Sequence, residues 1–226
     1  MAKKLSRRRK QAARGTNRAV TVALILAGVV LVGGLLYLVL RPTPTLSLAS
    51  YCTQNPDRCP EIGEADAPVT MVEVSDFGCP HCTDFHNQTA EPLEEQYVDS
   101  GSLRWIALPY SLNNTTLPAA ATAMCADEQG AYFEYASALF GIEPVELRLS
   151  PAGFQQAAET VGLDVDSFNS CVADGRYISL VNANRDAARA AQVTGTPTFF
   201  LNEEKVVGAQ PLSVFSQVIE TALLTQ

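Results

Sequence analysis

The feature that most constrains this chain is an uncharged run of 22 residues, Ala19 to Leu40. As an α-helix the run would be about 33 Å long at 1.5 Å per residue, enough to cross the hydrocarbon core of a bilayer. A cleavable signal peptide has a shorter apolar region, about 7–15 residues, that ends in small residues. We therefore expect an uncleaved transmembrane signal anchor at 19–40 rather than a cleaved signal.

Charges divide sharply at this run. Eight basic residues and no acid precede residue 19, so residues 1–18 form a basic tail that is expected to stay in the cytoplasm. The rest of the chain then lies outside the cytoplasm, in the periplasm or at the cell exterior. Beyond residue 41, seven basic residues face 24 acidic ones, a net charge of -17. Such a surface argues against binding nucleic acid or anionic lipid headgroups.

All six cysteines lie in the exported part, where disulfides are stable. Along the chain they fall into three groups, which are Cys52 and Cys59, Cys79 and Cys82, and Cys125 and Cys171. Residues 41–65 are rich in Pro, Ser and Thr without sustained periodicity, and they are expected to form an extracytoplasmic linker. A disulfide between Cys52 and Cys59 would close a small loop within it.

The remaining residues, 66–226, have the length of one domain. A β-rich run at 69–74 leads to the central cysteine pair at the start of an amphipathic helix, and a second strand is expected at 103–108. Ala-rich sequence then predicts four or five short helices at about 114–191. A hairpin and a closing helix complete an α/β domain with a helical insertion.

The sequence Cys79-Pro80-His81-Cys82 has a physical logic where a strand leads into a helix. Backbone N–H groups and the helix dipole stabilise an anion there, so the first cysteine becomes a thiolate more easily. His81 adds another donor or positive charge. Cys79 is the expected nucleophile and Cys82, one turn further in, the expected resolving thiol.

Two other interpretations of this pair are a structural disulfide and half of a metal site. A zinc site would need two further Cys or His ligands at comparable spacing, and His86 is the only other histidine. The spacing therefore favours a redox pair, with no metal and no cofactor beyond the Cys79–Cys82 disulfide itself.

Two motifs flank the helical insertion, Phe77-Gly78-Cys79-Pro80-His81-Cys82 and Thr194-Gly195-Thr196-Pro197-Thr198-Phe199-Phe200. Together with the insertion they resemble the DsbA family of disulfide oxidoreductases, from about residue 66 to the end. The resemblance implies a thioredoxin-like fold. It also implies that Pro197 is cis and lies against the disulfide, where its neighbour Thr196 contacts the substrate chain.

The resemblance further implies a role for Glu73, which interrupts an apolar strand six residues before Cys79. Family members carry a buried acid at this position, and such a carboxylate can exchange a proton with the resolving thiol. The alternative is a solvent-facing strand residue.

Cys125 and Cys171 fall on segments that we interpret as different helices of the insertion. Outside the cell we expect a structural disulfide between them, which would contribute about 4 kcal/mol in the chain-entropy account. The alternative is two buried free thiols. Neither cysteine has the Cys-x-x-Cys spacing of a second catalytic pair.

The sequence thus predicts a membrane-anchored, monomeric dithiol oxidase that introduces disulfides into reduced or unfolded exported proteins. By resemblance, its reoxidant is a membrane protein resembling DsbB or VKOR. Thr196 replaces the valine of the best-known DsbA enzymes, and related isomerases carry threonine there, so an isomerase or reductase is an alternative. Those isomerases add a dimerisation domain for which 41–65 is too short. A non-catalytic thioredoxin-fold chaperone or metal-binding module is the other alternative.

Overall fold

The computed structural model describes residues 2–40, 47–202 and 204–225. The chain divides into two compact units, Met1–Pro44 and Thr45–Gln226.

The first unit is helical. Helix α1 runs over Ala2–Leu40, so it includes the basic segment as well as the apolar run. Within it, Val20–Leu38 has a mean hydropathy of 2.5, and none of its residues is buried. This segment is long and apolar enough to cross a membrane.

Within the described residues, the second unit is built on a five-stranded sheet in the order β1-β3-β2-β4-β5. The strands are β1 Glu61–Ile62, β2 Val69–Ser75, β3 Leu103–Pro109, β4 Thr198–Leu201 and β5 Glu204–Val207. β2 and β3 are parallel, and the other pairs are antiparallel. β2 and β3 are buried along most of their length, which explains their near-continuous apolar sequence.

The helices of this unit are α2 Leu48–Gln54, α3 Pro80–Phe85, α4 Glu91–Leu93, α5 Leu117–Asp127, α6 Tyr132–Phe140, α7 Val145–Arg148, α8 Pro151–Thr160, α9 Val165–Ala173, α10 Ile178–Ala190 and α11 Leu212–Leu224. π-Helical turns flank α4 on both sides. Pro92 lies within α4 and has no N–H to donate, which explains why the regular ladder is interrupted there.

The predicted fold class, an α/β domain with a helical insertion after an apolar helix, is confirmed. Six helices, α5 to α10, lie between β3 and β4, a stretch that is described without gaps. The prediction of four or five was too low because α7 has only four residues, too few to show a helical period.

The predicted linker at 41–65 needs correction. Residues 41–46 lie outside the described part, but α2 and β1 both belong to the folded unit, and β1 pairs with β3. Leu48, Cys52 and Cys59 are at most 3% exposed and pack against apolar residues of β2 and β3. A one-turn apolar stripe and a two-residue strand are too short to produce a periodic signal, so composition alone predicted a spacer.

Buried side chains of the insertion form one cluster with the loop that follows β2. This cluster joins residues of α5 and α6 to Phe77, Cys79 and Cys82. The helical insertion therefore packs directly over the cysteine pair.

Candidate active site

Cys79 lies at the junction between the sheet and α3. It is the N-cap of α3, with φ -85° and ψ 122°, and Pro80 occupies the first helical position, where a missing N–H costs nothing. Its own N–H donates to the Asp76 carbonyl at 3.0 Å, which closes the turn after β2. Cys79 is 8% exposed whereas Cys82 is fully buried, and both are free thiols. An incoming sulfur therefore reaches Cys79 first.

The two thiols differ strongly in acidity. A hydrogen bond from the Cys82 side chain, followed by contributions from Thr196 and from the N–H groups of Cys82 and His81, lowers the pKa of Cys79 to about 5 against the opposing effect of burial. Burial, reinforced by the hydrogen bond to Cys79, raises the pKa of Cys82. The reduced pair thus holds a thiolate at Cys79 and a proton on Cys82 near neutral pH.

His81 acts through its backbone more than through its ring. Its side chain is 73% exposed, and Nδ1 lies 3.6 Å from Oδ2 of Asp84. The N–H group of His81 is among the groups that lower the pKa of Cys79. The ring itself faces the solvent.

The second motif meets the first at the sulfur of Cys79. The Thr196–Pro197 peptide bond is cis, and Cys79 Sγ donates to the Thr196 carbonyl at 3.3 Å. Oγ1 of Thr196 is buried and makes no hydrogen bond to any described residue while Cys79 is a thiol. Once Cys79 ionises, its sulfur can no longer donate to the carbonyl, and this hydroxyl becomes a donor for the thiolate.

Glu73 is buried on β2, with 4% exposure, so it is not a solvent-facing residue. Its carboxylate accepts hydrogen bonds from Ser75 Oγ and from Trp105 Nε1 at 3.0 Å, and it lies 2.8 Å from His86 Nε2. His86 is itself 11% exposed and stacks on the ring of Phe140, with centroids 4.0 Å apart. Proton exchange between Glu73 and Cys82 stays a prediction.

The structure adds His86 to the site in a role that the sequence did not suggest. The cysteine spacing suggests His86 only as a metal ligand, yet in the structure it pairs with the carboxylate of Glu73. A small cavity of about 20 Å³ is lined by Glu73, Ser75, Phe77 and His86 together with residues of the insertion. This volume suits about one water molecule.

Asp76 is a further residue that the sequence did not reveal. Its buried carboxylate accepts from Gly78 N at 2.7 Å, Leu112 N at 2.6 Å and Thr116 Oγ1 at 2.5 Å. Its own N–H donates to Cys82 Sγ at 3.4 Å. A Cβ at Gly78 would lie 2.5 Å from the Thr116 methyl group, so only glycine fits beside this carboxylate.

The other four cysteines are paired away from the site. Cys125 and Cys171 form a disulfide between α5 and α9, with Cα atoms 5.8 Å apart. Cys52 and Cys59 form a second one that joins α2 to the turn before β1, with Cα atoms 5.5 Å apart.

Comparisons with known proteins agree with this geometry. The profile of the family described as Thioredoxin matches residues 56–221. Disulfide bond formation protein D of Bacillus subtilis is 21% identical over 170 residues, which cover 73% of this chain and 77% of that protein. The crystal structure of Wolbachia pipientis alpha-DsbA1 superposes with a TM-score of 0.64 at 26% identity, covering 83% of this chain and 97% of that one.

A different kind of relative is the Na(+)/H(+) antiporter NhaA 3 of Salinispora tropica. It is 36% identical over 171 residues, which are 74% of this chain but 25% of the antiporter. The chain thus spans about a quarter of the length of this relative. From the family match and the likeness to solved DsbA structures, we conclude that this chain belongs to the thioredoxin family and is one of its DsbA-like members.

Proposed function

We propose that this thiol-disulfide oxidoreductase domain is a dithiol oxidase, which passes the Cys79–Cys82 disulfide to pairs of thiols in exported proteins. The observation that supports this direction is the acidity of Cys79, whose pKa is lowered to about 5. A stable thiolate favours the reduced protein, because the disulfide has no corresponding charge to stabilise. Each pKa unit below the ambient pH contributes about 1.4 kcal/mol, or about 30 mV for a two-electron couple.

The proposed reaction begins when a substrate thiolate attacks Cys79 Sγ. The Cys79–Cys82 bond breaks, a mixed disulfide forms, and Cys82 leaves with the electron pair and takes up a proton. A second substrate thiolate then attacks the substrate sulfur of the mixed disulfide, and Cys79 leaves as a thiolate. The substrate gains a disulfide and loses two electrons, which the cysteine pair has accepted.

The buried surroundings of Cys82 give Glu73 and His86 their proposed part in this reaction. Because burial raises the pKa of Cys82, its sulfur must be protonated when it leaves and deprotonated when the disulfide is restored. The pair of Glu73 and His86 is buried and lines a cavity that suits a water molecule. We assign it the task of exchanging that proton.

The surroundings of the domain are also part of the proposal. Val20–Leu38 would anchor it with the basic tail in the cytoplasm, and a membrane protein resembling DsbB or VKOR would reoxidise Cys79 and Cys82. The match to the antiporter covers only a quarter of that protein, so it does not support a transport function for this chain. We therefore assign to this chain the thiol chemistry of the module and not transport.

The test is the equilibrium of the full chain, in detergent, with a series of glutathione redox buffers. An oxidase should be reduced at potentials well above those of ordinary structural disulfides, and it should oxidise a reduced, unfolded protein stoichiometrically. A potential near that of a reducing thioredoxin would refute the proposal. An isomerase, suggested by Thr196, would instead rearrange a scrambled protein faster than it oxidises a reduced one.

A further inference from the structure

Arg148, in α7 of the helical insertion, is buried to 2% exposure although it carries a permanent charge. Its hydrogen bonds run from Nε to Ile142 O (3.0 Å), from Nη2 to Glu143 Oε1 (2.7 Å), and from Nη1 to Phe77 O (3.2 Å) and to Thr83 Oγ1 (2.6 Å). A buried guanidinium is tolerated only when its donors are satisfied in this way.

Two of these bonds bracket the cysteine motif. Phe77 lies just before it in the loop that leaves β2, and Thr83 directly follows Cys82 in α3. Arg148 is 71 residues from Phe77 and 65 residues from Thr83 in sequence. One side chain of the insertion therefore contacts residues on both sides of the Cys79-Pro80-His81-Cys82 motif.

The contact with Thr83 extends to Cys79 itself. A guanidinium can only donate, so Thr83 Oγ1 accepts from Arg148 and its own proton is free to be donated elsewhere. The Thr83 hydroxyl donates to the Cys79 carbonyl at 3.3 Å. The same carbonyl accepts the N–H groups of Cys82 and Thr83, each at 3.1 Å, which begin α3. Hydrogen bonds in such a chain polarise and strengthen one another.

We propose that Arg148 is a positioning residue for Cys79, through which the helical insertion holds the nucleophile in its N-cap conformation via Thr83 and Phe77. In this conformation the N–H groups of His81 and Cys82 contribute to lowering the pKa of Cys79. The inference rests on the proposed redox function of the Cys79–Cys82 pair. It assigns to the insertion a part in setting the reactivity of a cysteine that belongs to the thioredoxin core.

Glu143 provides a matched control. It contacts the same guanidinium at Nη2, but its side chain is 65% exposed and it does not lie on the path to Cys79. Glu143→Gln keeps a hydrogen-bond acceptor for Arg148 and leaves the contacts with Phe77 and Thr83 intact. If Arg148 acts by position, this variant should leave the acidity of Cys79 as it is in the wild type.

The experiment follows alkylation of Cys79 against pH in the reduced full chain in detergent, comparing Thr83→Val with Thr83→Ser. Loss of the hydroxyl should raise the midpoint of the alkylation rate by about one pH unit, whereas serine should keep the wild-type midpoint. Arg148→Lys, which keeps the charge but not the planar fork, should give a similar rise. The double variant Arg148→Lys with Thr83→Val should shift the midpoint little further, because both changes break one path.

Equal midpoints for Thr83→Val, Thr83→Ser and the wild type would overturn the proposal, and so would a rise in Glu143→Gln as large as that in Thr83→Val. Should Arg148→Lys fail to fold, the wild type supplies the measurement. The NMR chemical shift of the Arg148 Nε–H should then change with pH at the same midpoint as the ionisation of Cys79. A chemical shift that does not change with this ionisation would refute the coupling. An alkylation midpoint near pH 8.5 in the wild type would instead refute the oxidase proposal. The comparison between the Thr83 variants would still decide the role of Arg148.

Discussion

Two cysteine pairs of the second unit are buried, yet one is a closed disulfide and the other is a pair of free thiols. Cys125 and Cys171 are 2% and 0% exposed, join two helices, and form a closed disulfide. Cys79 and Cys82 are buried almost as well, but Cys79 caps a helix and receives several hydrogen-bond donors. Burial alone therefore does not decide between a structural and a reactive pair. What distinguishes the reactive pair is the set of hydrogen-bond donors around the sulfur of Cys79.

Removing one sulfur of the reactive pair should have the largest effect. Cys79→Ala should abolish oxidation of a reduced protein, since the Cys79–Cys82 disulfide that is passed to the substrate can no longer form. Cys82→Ala should also stop turnover, but it should accumulate mixed disulfides through Cys79, visible on non-reducing gels. Residual turnover in Cys79→Ala would show that another thiol does the work.

Removing the structural pair should have a large effect of another kind. The double variant Cys125→Ala with Cys171→Ala should lose about 2–5 kcal/mol of unfolding free energy, because a long loop in the unfolded chain is no longer closed. Oxidation of substrate below the unfolding temperature should persist. Denaturant titration and a turnover assay measure the two effects separately, and a loss of turnover in protein that is still folded would contradict this division of roles.

Proton handling is a second difference between the pairs, and Glu73→Gln tests it. The variant keeps the shape of the side chain but cannot take up the proton of Cys82. We expect restoration of the disulfide to slow by about 10- to 100-fold while the acidity of Cys79 is retained. Stopped-flow rates of reoxidation provide the measurement. Rates equal to the wild type across pH 5–8 would leave Glu73 a structural role only.

The two cysteine pairs should also differ in how their redox equilibrium depends on pH. The pKa of Cys79 is depressed in the folded, reduced protein, so the stabilisation from its thiolate is present above the unfolded pKa and is lost as the pH falls through about 5. The potential should therefore change by about 59 mV per pH unit below this value and by about 30 mV above it. A single slope of about 59 mV up to pH 8 would mean an ordinary thiol. The Cys125–Cys171 bond should stay closed throughout.

The smallest expected effect belongs to Thr196→Val. The buried hydroxyl makes no hydrogen bond to a described residue while Cys79 is a thiol, so the change should stabilise the reduced protein below pH 5 by about 1 kcal/mol or less. Above that pH the thiolate loses a donor, and its pKa should rise slightly. Thermal unfolding of the reduced variant at two pH values measures both signs. A variant that is destabilised at both values would contradict this account of the hydroxyl.

Local sequence patterns were sufficient for much of the fold. The β-rich run of β2, the helix that begins at Pro80, the hairpin at β4 and β5, and α11 all carry signals that span several residues. The position of Pro197 against Cys79 came from resemblance and not from pattern. The docking of α2 and β1 was missed because each element is too short to show a period.

The site residues that the sequence did not reveal were overlooked for a common physical reason. Asp76, His86 and Arg148 each depend on partners that the fold supplies from a distance, such as Leu112 for Asp76. A buried arginine or histidine looks like a surface residue in sequence until its partner is known. The pair of Cys79 and Cys82 could be recognised because its chemistry is confined to four neighbouring positions.

The short strand β1 has a consequence for a protein whose proposed clients are unfolded chains. An uncovered strand offers a row of free N–H and C=O groups to any extended segment that approaches. Here Ala107 of β3 donates to the Pro60 carbonyl at 2.8 Å, and β1 continues that cover. At the opposite margin, β5 presents the charged side chains of Glu204 and Lys205. An unfolded client thus finds few unpaired backbone groups at the edges of the sheet with which to form a strand. It can therefore dissociate once disulfide exchange is complete.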